Sequence, residues 1–256
     1  MRFVLVHGLG LSSNIWSQMI PLLDGEVITI DLPGHGNSDS KEYSWAGLWT
    51  TIMHSMRHRD WLDTTLVLHS FTASLLPEIL SSGVHPKKVV LLEGILHSDD
   101  AVSANNLISM DEDLFNQWLI RFRSVSRMAL KSQLISKHSS NKIHEWSSSF
   151  NVVQGMALHE MAINLKKRLE TDAITNAITS SSIPLVYIRG EFSRLSLTGQ
   201  SFLQKNNVKI REISQSAHFP MIDNPSKLSK KINQTVKFLM QFLYLYLERI
   251  VKALYY

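Results

Sequence analysis

The chain has 256 residues, 44% of them hydrophobic and 19% charged, enough to bury a substantial core as one domain, with or without a large insertion. It contains no cysteine, which excludes a disulfide framework, thiolate zinc ligation and a cysteine nucleophile. The formal charge is +4 and the pI about 9.2, yet acidic and basic residues are mixed and no basic, aromatic-interleaved pattern points to nucleic acid.

The first residues, "MRFVLVHGLG", hold an apolar run too short for a secretory signal and interrupted at once by His7 and Gly8, so a cytoplasmic protein is expected. Short apolar runs bounded by Gly, Pro or Asp then alternate with longer amphipathic stretches. The runs predict strands at Phe3–Val6, Val27–Asp31, Leu66–His69, Val89–Glu93, Leu185–Arg189 and Val208–Ile213. Helices are expected to begin near Ser13, Ser44, Phe71, Leu197 and Pro225. This alternation is that of an α/β protein with a mostly parallel central sheet of about six strands and flanking helices.

One interval breaks the rhythm. Between Glu93 and Pro184 only helical patterns occur, such as "DEDLFNQWLIRFRSVSRMAL", which opens on Asp111, Glu112 and Asp113, an acidic first turn suited to a helix N-terminus. The expected organisation is a core of residues 1–96 and 182–256 with a helical cap over 97–181. An insertion after a strand's C-terminal end lies over the crevice where open α/β sheets bind ligands, which makes it a candidate lid. The last stretch, "VKFLMQFLYLYLERIVKALYY", is apolar and aromatic but broken by Lys237, Glu248, Arg249 and Lys252 too often for a membrane span. It reads as a core-packed helix, with a dimer or membrane-surface contact as the alternative.

Four segments fall in the order that a single site requires. "VLVHGLG" puts His7-Gly8-Leu9-Gly10 after the first strand, where pliable backbone can aim N–H groups at an oxygen. "DLPGHGNSD" follows the second strand, "LVLHSFTASLL" the third, and "SQSAHFPMIDNP" the last. Together they resemble the α/β-hydrolase family, whose serine nucleophile precedes its acid and its histidine in the chain. The resemblance implies that Ser70 is the nucleophile, that His218 is the general base, and that the backbone N–H groups of Leu9 and Phe71 form the oxyanion hole. It also implies a mostly structural loop at Asp31, Gly34, His35, Gly36 and Asp39. His7 is expected to be a structural partner of the oxyanion loop, and His69 to point away from Ser70.

Two positions depart from the family pattern. The elbow around the nucleophile usually has glycine two residues before and two after it, where this chain has Leu68 and Thr72. The acid usually follows the penultimate strand, where "YIRGEFSR" has Ser193. Losing that carboxylate can lower turnover about 10⁴-fold in a serine protease. Glu93, at the end of the strand after the nucleophile helix, occupies the place from which the haloalkane dehalogenase branch takes its acid. It is therefore the expected third member, with Glu191, Asp99, Asp100, a purely structural Glu93 or no acid at all as alternatives.

The resemblance implies hydrolysis of a carboxylic ester or thioester with neither cofactor nor metal. His54 and His58 have the i, i+4 spacing of a helical metal pair, but no third ligand is evident and a solvated helix face is expected. The insertion carries Arg121, Arg123, Arg127, Lys131, Lys137 and Lys142 with no acidic residue between Asp113 and Glu145. This is either a solvated face or a docking face for an acidic acyl carrier protein, in which respect the chain resembles carboxylesterases of the pimeloyl-carrier methyl esterase type. A carbon–carbon hydrolase or lyase on the same fold, or a catalytically impaired binding member, are the competing readings.

Overall fold

The computed structural model describes residues 1–101, 107 and 110–234. Six parallel strands form one sheet in the order β2-β1-β3-β4-β5-β6. They are β1 (Arg2–Val6), β2 (Glu26–Ile30), β3 (Thr64–His69), β4 (Lys88–Leu92), β5 (Leu185–Gly190) and β6 (Lys209–Ile213). Each lies within two residues of its predicted bounds. The central strands β3 and β4 are buried throughout, whereas β2 and β6 at the edges are partly exposed. Unbroken apolar runs therefore mark the middle of the sheet and mixed runs its edges.

Side chains alternate across the sheet and divide the core in two. Val4, Val6, Leu66, Leu68, Val89 and Leu91 face the helices Trp45–Ser55 and Leu76–Ser81. Phe3, Leu5, Val67, Val90 and Leu92 face Trp16, Met19, Ile222, Leu228 and Ile232 on the other side. The helix starting at Trp45 is capped by Ser44, whose side chain accepts from the Gly47 N–H.

Two expected helices differ in form. The segment at Ser13 makes two short 3-10 turns, Ser13–Trp16 and Ile20–Leu22. Pro21, with no N–H and a ring that crowds the preceding turn, prevents their fusion into one helix. The segment at Phe71 begins as a 3-10 turn over Ser70–Leu75 and becomes α-helical only at Leu76–Ser81, where Pro77 stands in the first turn that tolerates it. The helix from Pro225 is present over 225–234. His54 ends a helix that stops at Ser55, and His58 lies beyond it at φ +64°, so the two do not share a helix face.

Between β4 and β5 the described chain is helical: Glu112–Ser124, Ser126–Ser132, Ser140–Ser147, Ser149–Val152, Gly155–Leu169 and Ala173–Ser180. The Asp111 carboxylate caps the first of these by accepting from the Leu114 N–H at 2.9 Å. Leu130, Ile143 and Trp146 join one face of the core, and Met161, Leu165 and Ile178 join the other. The insertion thus packs into both sides of the sheet. Among the described residues no helix is long and apolar enough to cross a membrane. The apolar stretch after residue 234, expected as a core-packed helix with a dimer or membrane-surface contact as the alternative, lies outside the described residues.

Candidate active site

Parallel strands in this register end on one edge, because Val6 pairs with Leu68, His69 with Leu92, and Gly190 with Ile213. The loops that leave β1, β3, β4, β5 and β6 consequently converge there. Ser70 is the first residue after β3 and has φ +56°, a left-handed conformation that serine does not adopt without tertiary support. A cavity of about 320 Å³ opens beside it, lined by Leu9, Ser70, Phe71, Glu93 and His218 among others.

The elbow accommodates both departures from glycine. Leu68 is fully buried in the sheet, paired with Val6 and Leu91. Thr72 is also fully buried, and its hydroxyl donates to the His69 carbonyl at 2.9 Å, which supplies a partner for a polar group that would otherwise be costly there. Space is tight instead at Gly8, where a Cβ would stand 3.0 Å from His69 Nδ1, 3.1 Å from Ser70 Cβ and 3.3 Å from the His69 carbonyl oxygen.

His218 follows β6 and places Nε2 3.1 Å from Ser70 Oγ, a hydrogen-bond distance. Its Nδ1 lies 3.6 Å from Glu93 Oε2, an ion-pair distance rather than a hydrogen bond. Glu93 is buried and has φ +53°. Its other oxygen, Oε1, accepts from the Gly190 N–H and from the Ser193 hydroxyl, the latter at 2.8 Å. Glu93 thus bonds backbone through one oxygen, as the structural alternative expects, and faces His218 with the other. Of the other candidate carboxylates, Asp100 lines the cavity and leaves its buried Oδ2 without a hydrogen-bond partner among the described residues. Glu191 Oε2 accepts from the Gln215 N–H at 2.8 Å, Asp100 Oδ1 accepts from the Ser196 N–H at 2.8 Å, and Asp99 is exposed.

Leu9 and Phe71 both line the cavity. Phe71 is the second residue of the 3-10 turn, where leading N–H groups have no acceptor within the turn. The loop carrying Leu9 is braced by two buried histidines. His7 donates from Nδ1 to the Gly8 carbonyl at 2.8 Å, and its Nε2 accepts from the Leu32 N–H at 3.1 Å. His35 donates from Nδ1 to the Pro33 carbonyl at 2.9 Å and accepts at Nε2 from the Gly10 N–H at 3.0 Å. Gly10 has φ +78°, which favours glycine. Burial lowers the pKa of His7 to about 4, and burial together with His7 lowers that of His35 to about 3, so both rings are neutral and can accept as well as donate. Asp31 holds the neighbouring loop through the Ser13 N–H at 2.6 Å and the Asn37 N–H at 2.9 Å.

His69 does not point clear of the site. Its Nε2–H donates to the His218 carbonyl at 3.0 Å and its ring centroid is 5.0 Å from that of His218. Burial, and secondarily His218, hold its pKa well below the usual value. It braces the loop that carries the histidine. The partners of His35, His69 and Ser193 were not legible in the sequence, although each is next to or within a motif that was.

This sheet, elbow and convergent loops define an α/β-hydrolase fold. The chain matches the Alpha/beta hydrolase family over residues 3–230 and belongs to it. It is similar to a pimeloyl-[acyl-carrier protein] methyl ester esterase from Legionella pneumophila (strain Corby), 22% identical over 93% of this chain and 95% of that one. Its structure is similar to an esterase from Exiguobacterium antarcticum (TM-score 0.72, 15% identity, 93% and 92% of the two chains). It is also similar to a loop variant of a haloalkane dehalogenase from Bradyrhizobium elkanii (TM-score 0.75, 14% identity, 94% and 90%).

Proposed function

We propose that the protein is a serine hydrolase of carboxylic esters or thioesters that works through an acyl-enzyme. The observation that carries this reading is Ser70, held at φ +56° beside the cavity with Oγ 3.1 Å from His218 Nε2. Ser70 Oγ attacks the carbonyl carbon as its proton passes to His218 Nε2. The oxyanion that forms is held by the N–H groups of Leu9 and Phe71, a contribution of which each donor typically supplies about 10²–10³ in rate. The C–O or C–S bond then breaks, and the leaving group takes the proton from His218. Water repeats the sequence to free the acid and restore Ser70. Glu93, facing Nδ1, stabilises the imidazolium in both halves.

Trp118, Phe122, Phe150 and Leu158 of the helical insertion line part of the cavity, so a small or medium apolar acyl group suits it. The insertion, residues 97–181, acts as the cap of the core formed by residues 1–96 and 182–256. Arg121 and Lys131 are exposed on it, and its positive charge suits an acidic acyl carrier protein presenting the ester. The similarity to a carrier-protein methyl ester esterase supports that choice of partner.

The experiment is intact-mass analysis after exposure to a fluorophosphonate. Stoichiometric labelling of the wild type and none of Ser70→Ala is expected. A folded wild type that stays unlabelled while a small apolar ligand still enters the cavity would overturn the proposal and favour a binding role.

A further inference from the structure

We propose that Ser193, which stands where the family commonly has its acid, is a positioning residue that orients Glu93 toward His218. The inference rests on the proposed Ser70–His218 chemistry. Glu93 ends β4 at φ +53° and is buried, so its carboxylate needs donors. Oε1 receives two of them, the Gly190 N–H and the Ser193 O–H at 2.8 Å. Oε2 is thereby left to His218 Nδ1 at 3.6 Å. The last torsion of a glutamate is broad and two-fold, so the torsion itself does not select this orientation and the donors on Oε1 must. The Gly190 N–H comes from the end of β5, and the Ser193 hydroxyl approaches from the turn that follows.

Ser193 does not line the cavity, and its hydroxyl reaches the site through Glu93, to which it donates. Its backbone is secured without the hydroxyl, because the Ser193 N–H donates to the Gly190 carbonyl at 3.2 Å. Ser193→Ala therefore removes one donor and leaves the turn. Where the family places a carboxylate, this chain places a hydroxyl that directs a carboxylate arriving from the adjacent strand.

The test compares fluorophosphonate labelling rates of the wild type, Ser193→Ala, Ser193→Thr, Glu93→Gln and the Ser193→Ala/Glu93→Gln double variant. Charge-assisted hydrogen bonds are the stronger class, so Ser193→Ala is expected to label about tenfold more slowly, and Ser193→Thr, which keeps the hydroxyl, to recover most of that loss. Once Glu93 is an amide, Ser193→Ala should change the rate by less than about twofold, the non-additivity expected of groups acting as a unit. Wild-type labelling of Ser193→Ala, equal loss in the Ala and Thr variants, or independent effects in the double variant would each overturn the inference. Failure of the wild type itself to label would instead remove the serine-hydrolase reading on which it stands.

Discussion

The carboxylate of Asp223 binds Ile135 of the helical insertion and Ala217, the neighbour of His218, at the same time. Oδ1 accepts from the Ile135 N–H at 2.9 Å, the Ser136 N–H at 3.0 Å and the Ser136 hydroxyl at 2.8 Å. Oδ2 accepts from the Ala217 N–H at 3.1 Å. The insertion and the loop bearing the histidine thus share one anion. Because an amide has only one accepting oxygen, Asp223→Asn must turn its NH₂ toward donors on one side. We expect a loss of about 1–3 kcal/mol, read as a fall of several degrees in Tm, with slower fluorophosphonate labelling of Ser70. Unchanged Tm and labelling would show that the two segments are held independently.

Glu93→Gln should slow labelling by at least about 10²-fold while leaving the fold intact, because the amide keeps the shape but not the charge that stabilises the imidazolium. Ser193 stands where the family commonly has its acid. A Ser193→Asp/Glu93→Gln variant is therefore expected to label faster than Glu93→Gln alone. Measuring both rates under the same conditions decides this, and no gain in the double variant would show that position 193 cannot reach Nδ1.

Acid should destabilise the protein through buried neutral histidines, among them His7 and His35. Their folded pKa values, about 4 for His7 and about 3 for His35, lie below the ordinary 6.5. Protons therefore bind more readily to the unfolded chain. The stability these groups contribute is complete above pH 6.5 and is lost as pH falls toward 4 and then 3. At about 1.4 kcal/mol per decade, His7 alone accounts for about 3 kcal/mol. Thermal scans between pH 8 and pH 4 should show this decline, with a shallower slope in His35→Gln. Because His35 accepts the Gly10 N–H, that variant should also label more slowly.

Restoring glycine to the elbow should harm this protein. Leu68 is fully buried between Val6 and Leu91, and removing a buried leucine side chain typically costs about 2–5 kcal/mol, to which the flexibility of glycine adds up to about 1 kcal/mol. Leu68→Gly is therefore expected to lower Tm sharply, as denaturation by heat or urea would report. A variant as stable as the wild type would mean that Leu68 is a tolerated departure and not part of the packing.

The strands were legible because an apolar run of a few β-favouring residues between turn formers is a local signal, and the six appear in the sheet close to where the pattern placed them. Ser70 and His218 were singled out by the resemblance that four ordered motifs carry, and the structure brings them to 3.1 Å. The weak points of that reading were all matters of partnership. The sequence marks Glu93 as a carboxylate at a strand end, but which oxygen faces His218 depends on Gly190 and Ser193, about a hundred residues away. It marks His35 as part of a turn, but not as the acceptor for Gly10, and it carries no sign that Asp223 ties Ile135 to Ala217. Local composition determined which elements form and which end of the sheet carries reactive groups, because chain periodicity and turn chemistry act over a few residues. Only the tertiary structure decided how those groups are oriented, because hydrogen bonds between distant segments exist only once the sheet has set the register and brought the loops together.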